Sequence, residues 1–281
     1  MSLQTLSEWL RCPNCFQALA PTGTLSLGCT SGHAFDVNKR DYVSLLNGSH
    51  KFIGDSAAML DARDRFQNGG FYAPLRQAIC DTVVAERPRR IIDIGCGSGY
   101  YLQAALSASA TSEQANGPRA LAVDLSPAAV SRTVRSVAHA DGLVADVWAP
   151  LPIRDAAANV ILNVFAPRNA AEFHRVLVPG GLLLVVVPQE THLQELRAAG
   201  LAVAMQPDKV RHLIDGLGDH FELETQQQLS SVLTLCAADV AAVLGMGPSA
   251  HHAGAQADFE ADVQTSVTAA FGMFSFRRRA R

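Results

Sequence analysis

Short apolar runs alternate with stretches of helical periodicity from Arg90 onwards, and this alternation limits the folds open to the chain more than any other feature. Five runs have the length and composition of buried strands, at residues 91–95, 120–124, 143–146, 160–165 and 182–187. Continuous apolar runs of this kind are typical of parallel strands whose two faces are both covered. Because helical segments separate them, the sequence predicts a doubly wound α/β sheet.

The pattern changes after Pro188. Residues 221–229 and 265–276 have the character of two long strands, and no helical crossover pattern accompanies them. We therefore expect an antiparallel pair that closes one edge of the sheet. Upstream of the sheet, residues 59–66 have helical spacing, and the glycine pair at 69–70 predicts the end of that helix.

The first predicted strand ends in a glycine-rich turn with the sequence DIGCGSG, which begins at Asp93. Gly95, Gly97 and Gly99 leave no Cβ where a ligand would press against the backbone. The dinucleotide fingerprint spaces its glycines G-x-G-x-x-G and holds a pyrophosphate at a helix N-terminus. Here the spacing is G-x-G-x-G, with a carboxylate two residues before the first glycine. S-adenosylmethionine (SAM) carries an α-amino group and no phosphate, so the turn favours SAM over a nicotinamide dinucleotide.

Two further carboxylates follow the next two predicted strands. Asp124 ends the second strand, where it can accept hydrogen bonds from both ribose hydroxyls. Asp146 ends the third strand, where it can accept from the adenine amino group. Either aspartate alone would more often be a helix N-cap or a solvated strand end. Three acidic strand ends in order, with Asp93 as the first, favour a bound nucleoside.

The N-terminus contains a C-x2-C-x13-C-x3-H pattern formed by Cys12, Cys15, Cys29 and His33. Two closely spaced pairs of soft ligands, separated by about a hairpin, can surround one tetrahedral Zn²⁺. Four protein ligands leave no open position, so the pattern predicts a structural rather than a catalytic zinc site. The alternative is four unligated residues that are near each other by chance. A fifty-residue segment of this kind depends on its metal for much of its stability.

Composition adds three constraints. The chain has 281 residues and six cysteines, too few cysteines for a disulfide scaffold, and this usage suits a reducing cytosol. The longest apolar stretch, residues 182–187, is far too short to cross a membrane, so we expect a cytoplasmic protein with no membrane partner. The net charge of −3 argues against general coating of nucleic acid but not against a local basic surface.

These features together resemble the 23S rRNA (guanine-N1-)-methyltransferases, and most closely the tylosin-resistance branch of that family. The resemblance covers most of the chain, from Cys12 to about His251. Its most specific stretches are the zinc ligands and residues 48–72, 93–101, 145–148, 163–169 and 246–249. The resemblance implies a Rossmann-like SAM-dependent methyltransferase sheet with a small N-terminal zinc-binding module that recognises an RNA hairpin. It also implies a homodimer, a guanine in a domain II hairpin of 23S rRNA as substrate, and a contribution to macrolide resistance.

The resemblance carries four cofactor contacts onto this chain by motif: Tyr72, Gly97, Ser98 and His192. Without it, Tyr72 would be interpreted as an ordinary core aromatic residue and His192 as a surface histidine. It further implies domain bounds of 1–50 for the zinc-binding module, 51–78 for a helical linker and 79–281 for the methyltransferase domain.

The loop after the fourth predicted strand lies beside the transferable methyl group in this fold. Asn163 can hydrogen-bond a guanine edge, Phe165 can stack on the base, and Arg168 can stabilise charge on O6 or hold a phosphate. The alternative is that Phe165 belongs to the core and Arg168 is merely solvated. The sequence identifies no general base. Two other functions stay open: methylation of a small molecule, and non-catalytic binding of SAM and RNA.

Overall fold

The computed structural model describes residues 3–46, 54–110, 117–203, 208–247 and 264–280. Within those residues, eleven strands form one sheet and nine helices pack around it. The strands are β1 (Ala20–Pro21), β2 (Ser26–Gly28), β3 (Ala34–Asn38), β4 (Tyr42–Ser44), β5 (Arg90–Ile94), β6 (Arg119–Asp124), β7 (Ala140–Val144), β8 (Ala158–Val164), β9 (Leu177–Pro188), β10 (Phe221–Leu235) and β11 (Thr265–Arg278). The helices are α1 (Leu3–Ser7), α2 (Ala57–Asn68), α3 (Ala73–Ala85), α4 (Tyr100–Ser109), α5 (Pro127–Ser136), α6 (Ala170–Val176), α7 (Gln194–Ala198), α8 (Lys209–Leu217) and α9 (Ala237–Gly245). Residues 48–53 and 248–249 of the resemblance motifs lie outside the described residues.

The strand order is β1-β2-β3-β4-β7-β6-β5-β8-β9-β11-β10. The five strands from β7 to β9 are mutually parallel, and the order reverses between β5 and β8. This arrangement confirms the predicted doubly wound sheet and creates a topological switch point at the carboxyl ends of β5 and β8. Strand β11 pairs antiparallel with both β9 and β10, which confirms the predicted pair at one edge.

The predicted carboxyl end of the third strand is wrong. We expected it to run to Asp146, whereas β7 ends at Val144. The Oδ1 atom of Asp146 accepts a hydrogen bond of 3.0 Å from the backbone N–H of Trp148. A side chain that bonds to the backbone two residues ahead favours a turn over a strand. Asp146 therefore lies in the loop beyond the strand.

The central strands have both faces buried, and alternate side chains enter different cores. Ile91 packs with α3 and α4 on one face of the sheet, whereas Ile92 and Ile94 pack on the other face with the N-terminal residues. This follows from the twofold side-chain alternation of a β-strand. The N-terminal module and the parallel sheet thus share one apolar core.

Helix α2 confirms the helix expected from residues 59–66. Ser56 is its N-cap, and the Ser56 hydroxyl accepts from the backbone N–H of Met59 at 3.3 Å. The helix ends at Gly69, whose N–H donates to the carbonyl of Arg65. Its position matters for the site because α2 runs beside the glycine-rich turn.

The N-terminal module joins the sheet by backbone pairing as well as by packing. Strand β4 pairs in parallel with β7, so that Ser44 lies opposite Val144. Trp9 is fully buried, and its indole N–H donates to the carboxylate of Asp141 at 3.0 Å. The expected domain bounds stay predictions; helix α3 spans the expected boundary at residue 78. Among the described helices, none combines the length and the apolar character needed to cross a membrane.

Candidate cofactor and metal sites

The N-terminal module contains a candidate metal centre. The ligand atoms of Cys12, Cys15, Cys29 and His33 all lie within 4.8 Å of one another. The Sγ atoms of Cys15 and Cys29 are 3.5 Å apart, and the Nδ1 atom of His33 is 3.4 Å from Cys29 Sγ. Ligands around Zn²⁺ at about 2.0–2.3 Å lie about 3.3–3.8 Å apart in a tetrahedron. The four residues therefore fit a single structural zinc ion.

Tight turns bring these ligands together. The N–H of Phe16 donates to the carbonyl of Cys12, and Phe16 has a left-handed φ of 60°. The chain thereby turns back between the first two cysteines. A hydrogen bond from the backbone of Gln17 lowers the pKa of Cys15 to about 6, which favours the thiolate that a metal requires. Zinc coordination at these four positions is thus favoured by both geometry and charge.

The glycine-rich turn after β5 forms a cradle that side chains would fill. Gly95 and Gly97 have φ values of 78° and 53°. A Cβ on Gly95 would lie 2.5 Å from the Cβ of Ala166, and a Cβ on Gly97 would lie 2.6 Å from Nη1 of Arg63. The Cβ of Ala166 cannot move away from a side chain at position 95, whereas the end of the Arg63 side chain can move away from one at position 97. The left-handed φ values favour glycine at both positions.

Asp124 closes one side of this cradle. Its Oδ2 accepts from the N–H of Gly97 at 3.1 Å, and its Oδ1 accepts from the N–H of Ser126 at 2.9 Å. Burial raises the pKa of Asp124, while these two backbone N–H groups act in the opposite direction. A carboxylate held at a strand end in this way can accept from both hydroxyls of a ribose.

Asp93 lies directly below the turn and is 4% exposed. Burial, reinforced by the charge of Asp124, raises the pKa of Asp93 to about 7. A cationic group that arrives beside Asp93 would favour the ionised carboxylate. The donor set of this edge, namely two carboxylates and a glycine cradle, fits the amino group and ribose of SAM.

Four aromatic rings form a cluster beside the turn. Phe271, from β11, lies 4.9 Å from Tyr72, 5.4 Å from Phe165 and 4.8 Å from His192 between ring centroids. The Nδ1 atom of His192 accepts from the N–H of Ala270 at 3.2 Å, and Nε2 lies 3.4 Å from the Tyr72 hydroxyl. Burial lowers the pKa of His192 to about 4, so the ring is neutral near pH 7. The structure thus brings Tyr72, His192 and Phe165 together, as a shared site requires.

The three residues predicted to act on the base, Asn163, Phe165 and Arg168, lie at the end of β8 and in the loop after it, in three different environments. Asn163 is fully buried, and its Nδ2 donates to the carbonyl of Pro167 at 2.9 Å. Phe165 has a left-handed φ of 55°, and its side chain is 43% exposed. Arg168 donates to the carbonyl of Ala166, and burial lowers its pKa. Asn163 therefore contacts its own loop, while the Phe165 ring lies in the aromatic cluster and remains partly exposed.

Ser98 and Asp146, both predicted to contact the cofactor, form hydrogen bonds within the protein. The hydroxyl of Ser98 is buried and donates to Oε1 of Gln67 at 2.9 Å, which fixes α2 to the glycine turn. Asp146 lies beyond β7, and one of its oxygens is engaged by the N–H of Trp148. The direct contacts of these residues with a nucleoside stay predictions.

Sequence reasoning missed three residues at this edge: Arg63, Gln67 and Phe271. Arg63 and Gln67 are one helical turn apart on α2, and both face the glycine turn. Their spacing was visible, but nothing local indicated which element that face of the helix would contact. Phe271 lies on a strand far along the chain, and only its pairing with β9 brings it beside Tyr72.

A cavity of about 670 Å³ adjoins the aromatic cluster. Its walls come from the end of β9, the start of α8 and the β10–β11 pair, and they include Gln189, Lys209 and Phe271. Burial lowers the pKa of Lys209, and the positive charge of the nearby Arg168 lowers it further. The described lining of the cavity is therefore largely polar, carries charges of both signs, and contains the aromatic ring of Phe271.

Comparison with protein families identifies both parts of the chain. A family model described as "RlmA, N-terminal", a zinc ribbon, matches residues 10–52. A model described as "Methyltransferase domain" matches residues 62–233. The two matches coincide with the Cys/His cluster and with the parallel sheet.

Curated relatives cover most of the chain. It is 40% identical to the 23S rRNA (guanine(748)-N(1))-methyltransferase of Streptomyces fradiae over 249 residues, which are 87% of this chain and 86% of the relative. It is 37% identical over 262 residues to a protein of Micromonospora griseorubida provisionally named a 23S rRNA (guanine-N(1)-)-methyltransferase. That match covers 86% of this chain and 87% of the relative.

A solved structure supports the fold alone. The complex between the Haloferax volcanii Trm112 methyltransferase activator and a methyltransferase contains a chain that superposes with a TM-score of 0.50 at 14% identity. The superposition covers 80% of this chain and 99% of that chain.

Proposed function

This chain belongs to the family of 23S rRNA (guanine-N1)-methyltransferases, and on that premise we propose that it transfers the methyl group of SAM to N1 of one guanine in a 23S rRNA hairpin. The observation that carries the proposal is the convergence of the Asp124 carboxylate, the glycine cradle and the aromatic cluster at one edge of the sheet. Methyltransferase chemistry needs this adjacency because the cofactor and the acceptor base must be in line.

The acceptor base has specific requirements. Guanine N1 carries a proton at neutral pH and lies on the Watson–Crick edge, so the base must leave its pair before it reacts. Phe165 offers a half-exposed ring on which a splayed base can stack. Arg168 follows three residues later in the same loop, and we assign its guanidinium the stabilisation of charge on O6. SAM, when bound, supplies an electrophilic methyl group; the residues of this chain bind and orient the two reactants.

Asn163 contributes by positioning in this proposal. Its buried amide holds the carbonyl of Pro167 and so fixes the loop that carries Phe165 and Arg168. Asn163→Ala should leave binding of SAM and RNA near normal and lower kcat, because the base is then misaligned. Asn159→Ala is the matched control, since Asn159 lies at the opposite end of β8 and accepts from Arg89 and Arg90.

The zinc-binding module is proposed to contact the RNA. Lys39 and Arg40 are exposed at the tip of the β3–β4 hairpin. Phe16 is 50% exposed, and the guanidinium of Arg11 lies 4.6 Å from its ring centroid. Exposed cations and an exposed ring on a rigid module are suited to phosphates and unpaired bases.

Several finer features belong to the same proposal. The relative from S. fradiae is named for guanine 748, and we take that nucleotide as the target here. We further propose a homodimer that acts in the cytoplasm and contributes to macrolide resistance. All six cysteines are free, which suits a reducing compartment.

Primer extension on methylated rRNA tests the function. Purified protein, SAM and unmodified 23S rRNA should give a reverse-transcription stop beside one guanine, because a methyl group at N1 blocks base pairing. Transfer of radiolabel into small-molecule extracts but not into rRNA would favour a small-molecule methyltransferase. Tight binding of SAM without any turnover would favour a binding protein. Light scattering tests the dimer separately.

A further inference from the structure

Arg63 is a cation held directly over the glycine turn. Its Nη1 atom forms an ion pair with Oδ2 of Asp55 at 2.6 Å, and its Nη2 donates to the carbonyl of Met246 at 2.9 Å. The same Nη1 lies 2.6 Å from the position that a Cβ on Gly97 would take. A guanidinium has five N–H donors, so these two partners leave others free for a ligand.

The carboxylates around the glycine turn would repel the carboxylate of SAM unless a cation such as Arg63 lay between them. Asp55, Asp93 and Asp124 supply three carboxylates at this edge, and the charges of both Asp55 and Arg63 act on Asp124. The methionine end of SAM carries an ammonium and a carboxylate. The aspartates suit the ammonium and the ribose, whereas a carboxylate beside them needs donors and positive charge.

Tyr101 gives a second, independent indication of an anion. Its side chain is 8% exposed, and its hydroxyl is a buried polar atom with no hydrogen-bond partner among the described residues. Burial raises the pKa of Tyr101, so the hydroxyl keeps its proton, while the nearby Gln67 side chain and the charge of Arg63 act in the opposite direction. Gln67 Oε1 already accepts from Ser98, and no hydrogen bond of normal geometry joins it to the Tyr101 hydroxyl. A buried donor without a partner is costly unless a ligand satisfies it.

Helix α4 adds a favourable field at the same place. It begins at Tyr100, immediately after the glycine turn, and its N-cap residue is Gly99, which has no side chain with which to accept from the first N–H groups. The first N–H groups of a helix and the helix dipole both favour negative charge. Arg63 thus lies against Gly97, its charge acts on Tyr101, and α4 begins three residues after Gly97, so all three features belong to the glycine turn.

We propose that Arg63 and Tyr101 bind the carboxylate of the methionine moiety of SAM, with Asp55 as the residue that positions Arg63. The proposal rests on the proposed function only in that SAM is the cofactor. It gives a role to the face of α2, a helix between β4 and β5, that lies over the glycine turn. It also assigns the Asp55–Arg63 ion pair to cofactor recognition.

Two ligands that differ in the carboxylate test this assignment. S-adenosylhomocysteine contains the amino-acid group, whereas 5′-methylthioadenosine lacks it and keeps the adenine and ribose. Arg63→Met should weaken S-adenosylhomocysteine by about ten- to a hundredfold, as expected for lost hydrogen bonds to a charged group. It should change the affinity for 5′-methylthioadenosine by less than about twofold. Both affinities are measured by competition against labelled SAM.

Matched variants separate recognition from folding. Arg65→Met changes an exposed arginine on the same helix and should alter neither affinity. Tyr101→Phe should weaken S-adenosylhomocysteine selectively, and Arg63→Lys should restore part of the loss. An equal loss of both ligands in Arg63→Met, or no loss of either, would overturn the proposal. Failure of the wild-type protein to bind S-adenosylhomocysteine would instead overturn the proposed function.

Discussion

The zinc cluster and the cofactor edge are built from the chain in opposite ways. The four zinc ligands come from two turns of one short segment, and their donor atoms converge within 4.8 Å. The cofactor edge instead collects Arg63 from α2, Asp124 from β6 and Phe271 from β11. A local site follows from its spacing, whereas a dispersed site exists only after the sheet has formed.

The two regions also differ in what their loss should do. The zinc-binding module shares a core and a strand pairing with the sheet, so damage there should reach the whole fold. The cofactor edge lies at strand ends, where side chains can change while the strands remain paired. We therefore expect the metal site to govern stability and the cofactor edge to govern binding.

The largest expected effect is loss of the metal. Cys15→Ser should remove the zinc ion, about one per chain, and lower the free energy of unfolding by several kcal/mol because metal binding contributes directly to folding. Elemental analysis and urea unfolding measure the two effects. Cys80→Ala, a buried cysteine on α3 outside the cluster, should keep the zinc. Retention of the metal in Cys15→Ser would contradict the four-ligand site.

The second-largest effect is expected from Asp124→Ala, which should weaken binding of S-adenosylhomocysteine and leave folding unchanged. It removes the acceptor for the ribose hydroxyls, at a cost of about 1.5–3 kcal/mol for hydrogen bonds to a charged group. Calorimetry with S-adenosylhomocysteine measures this loss. Asp81→Ala removes an exposed carboxylate on α3 and is the control. An unchanged dissociation constant for the Asp124 variant would remove it from the site.

Trp9→Phe probes the junction between the two regions. The change removes a buried N–H that donates to Asp141 at 3.0 Å and should lower the free energy of unfolding by about 1.5 kcal/mol. Zinc content should stay the same, since Trp9 is not a ligand. Trp148→Phe, at a 56% exposed tryptophan, should cost less than about 0.5 kcal/mol. Equal stability of both variants would mean that the junction does not couple the regions.

A pH profile sharpens the role of Asp93. Its pKa is raised to about 7, so the carboxyl is mostly protonated at lower pH and ionises as the pH rises through that value. The ammonium of the ligand favours the ionised form, so affinity for S-adenosylhomocysteine should rise by up to about tenfold between about pH 6 and about pH 8. Asp93→Asn should flatten this profile. The same rise in the Asn variant would place the titrating group elsewhere.

The smallest expected effect is on RNA affinity. Lys39→Ala with Arg40→Ala should weaken hairpin binding several-fold at low salt and reduce the salt slope by about two, as for two lost phosphate contacts. Filter binding over a salt series measures both quantities. The charge-conserving exchange Lys39→Arg with Arg40→Lys should bind normally. If the double alanine variant binds equally at every salt concentration, the RNA contacts a different surface.

Sequence reasoning predicted best where a feature is local. Cys29 and His33 follow from their spacing, and the glycine-rich turn follows from its own sequence, because neighbouring residues determine their geometry. The hydrogen bond between Gly97 and Asp124 forms only when β5 and β6 pair. Asp146 was misplaced because its own side chain forms a turn that ends β7 early. The sequence predicted the order of the strands along the chain correctly, but it did not predict the residue at which β7 ends.

Other residues required knowledge beyond local pattern. Tyr72 and His192 were identified only by family resemblance, since an aromatic residue before a helix and a loop histidine carry no signal of their own. Arg63 and Phe271 were missed because their roles depend on how α2 and β11 pack. Such contacts are tertiary, and no single-segment periodicity contains them.

The parallel pairing of β4 with β7 has a consequence for how the chain matures during its synthesis. Strand β4 pairs with the preceding β3 along one edge. Along its other edge Tyr42 and Ser44 pair with Gly142 and Val144, so that edge has no partner until the distant segment has left the ribosome. Translation at about 5–20 residues per second makes this a wait of seconds. During that time an early zinc ion would hold the two ligand turns together while the edge of β4 stays open. Zinc binding can thus order the ligand turns of the module before β7 is available to cover the open edge of β4.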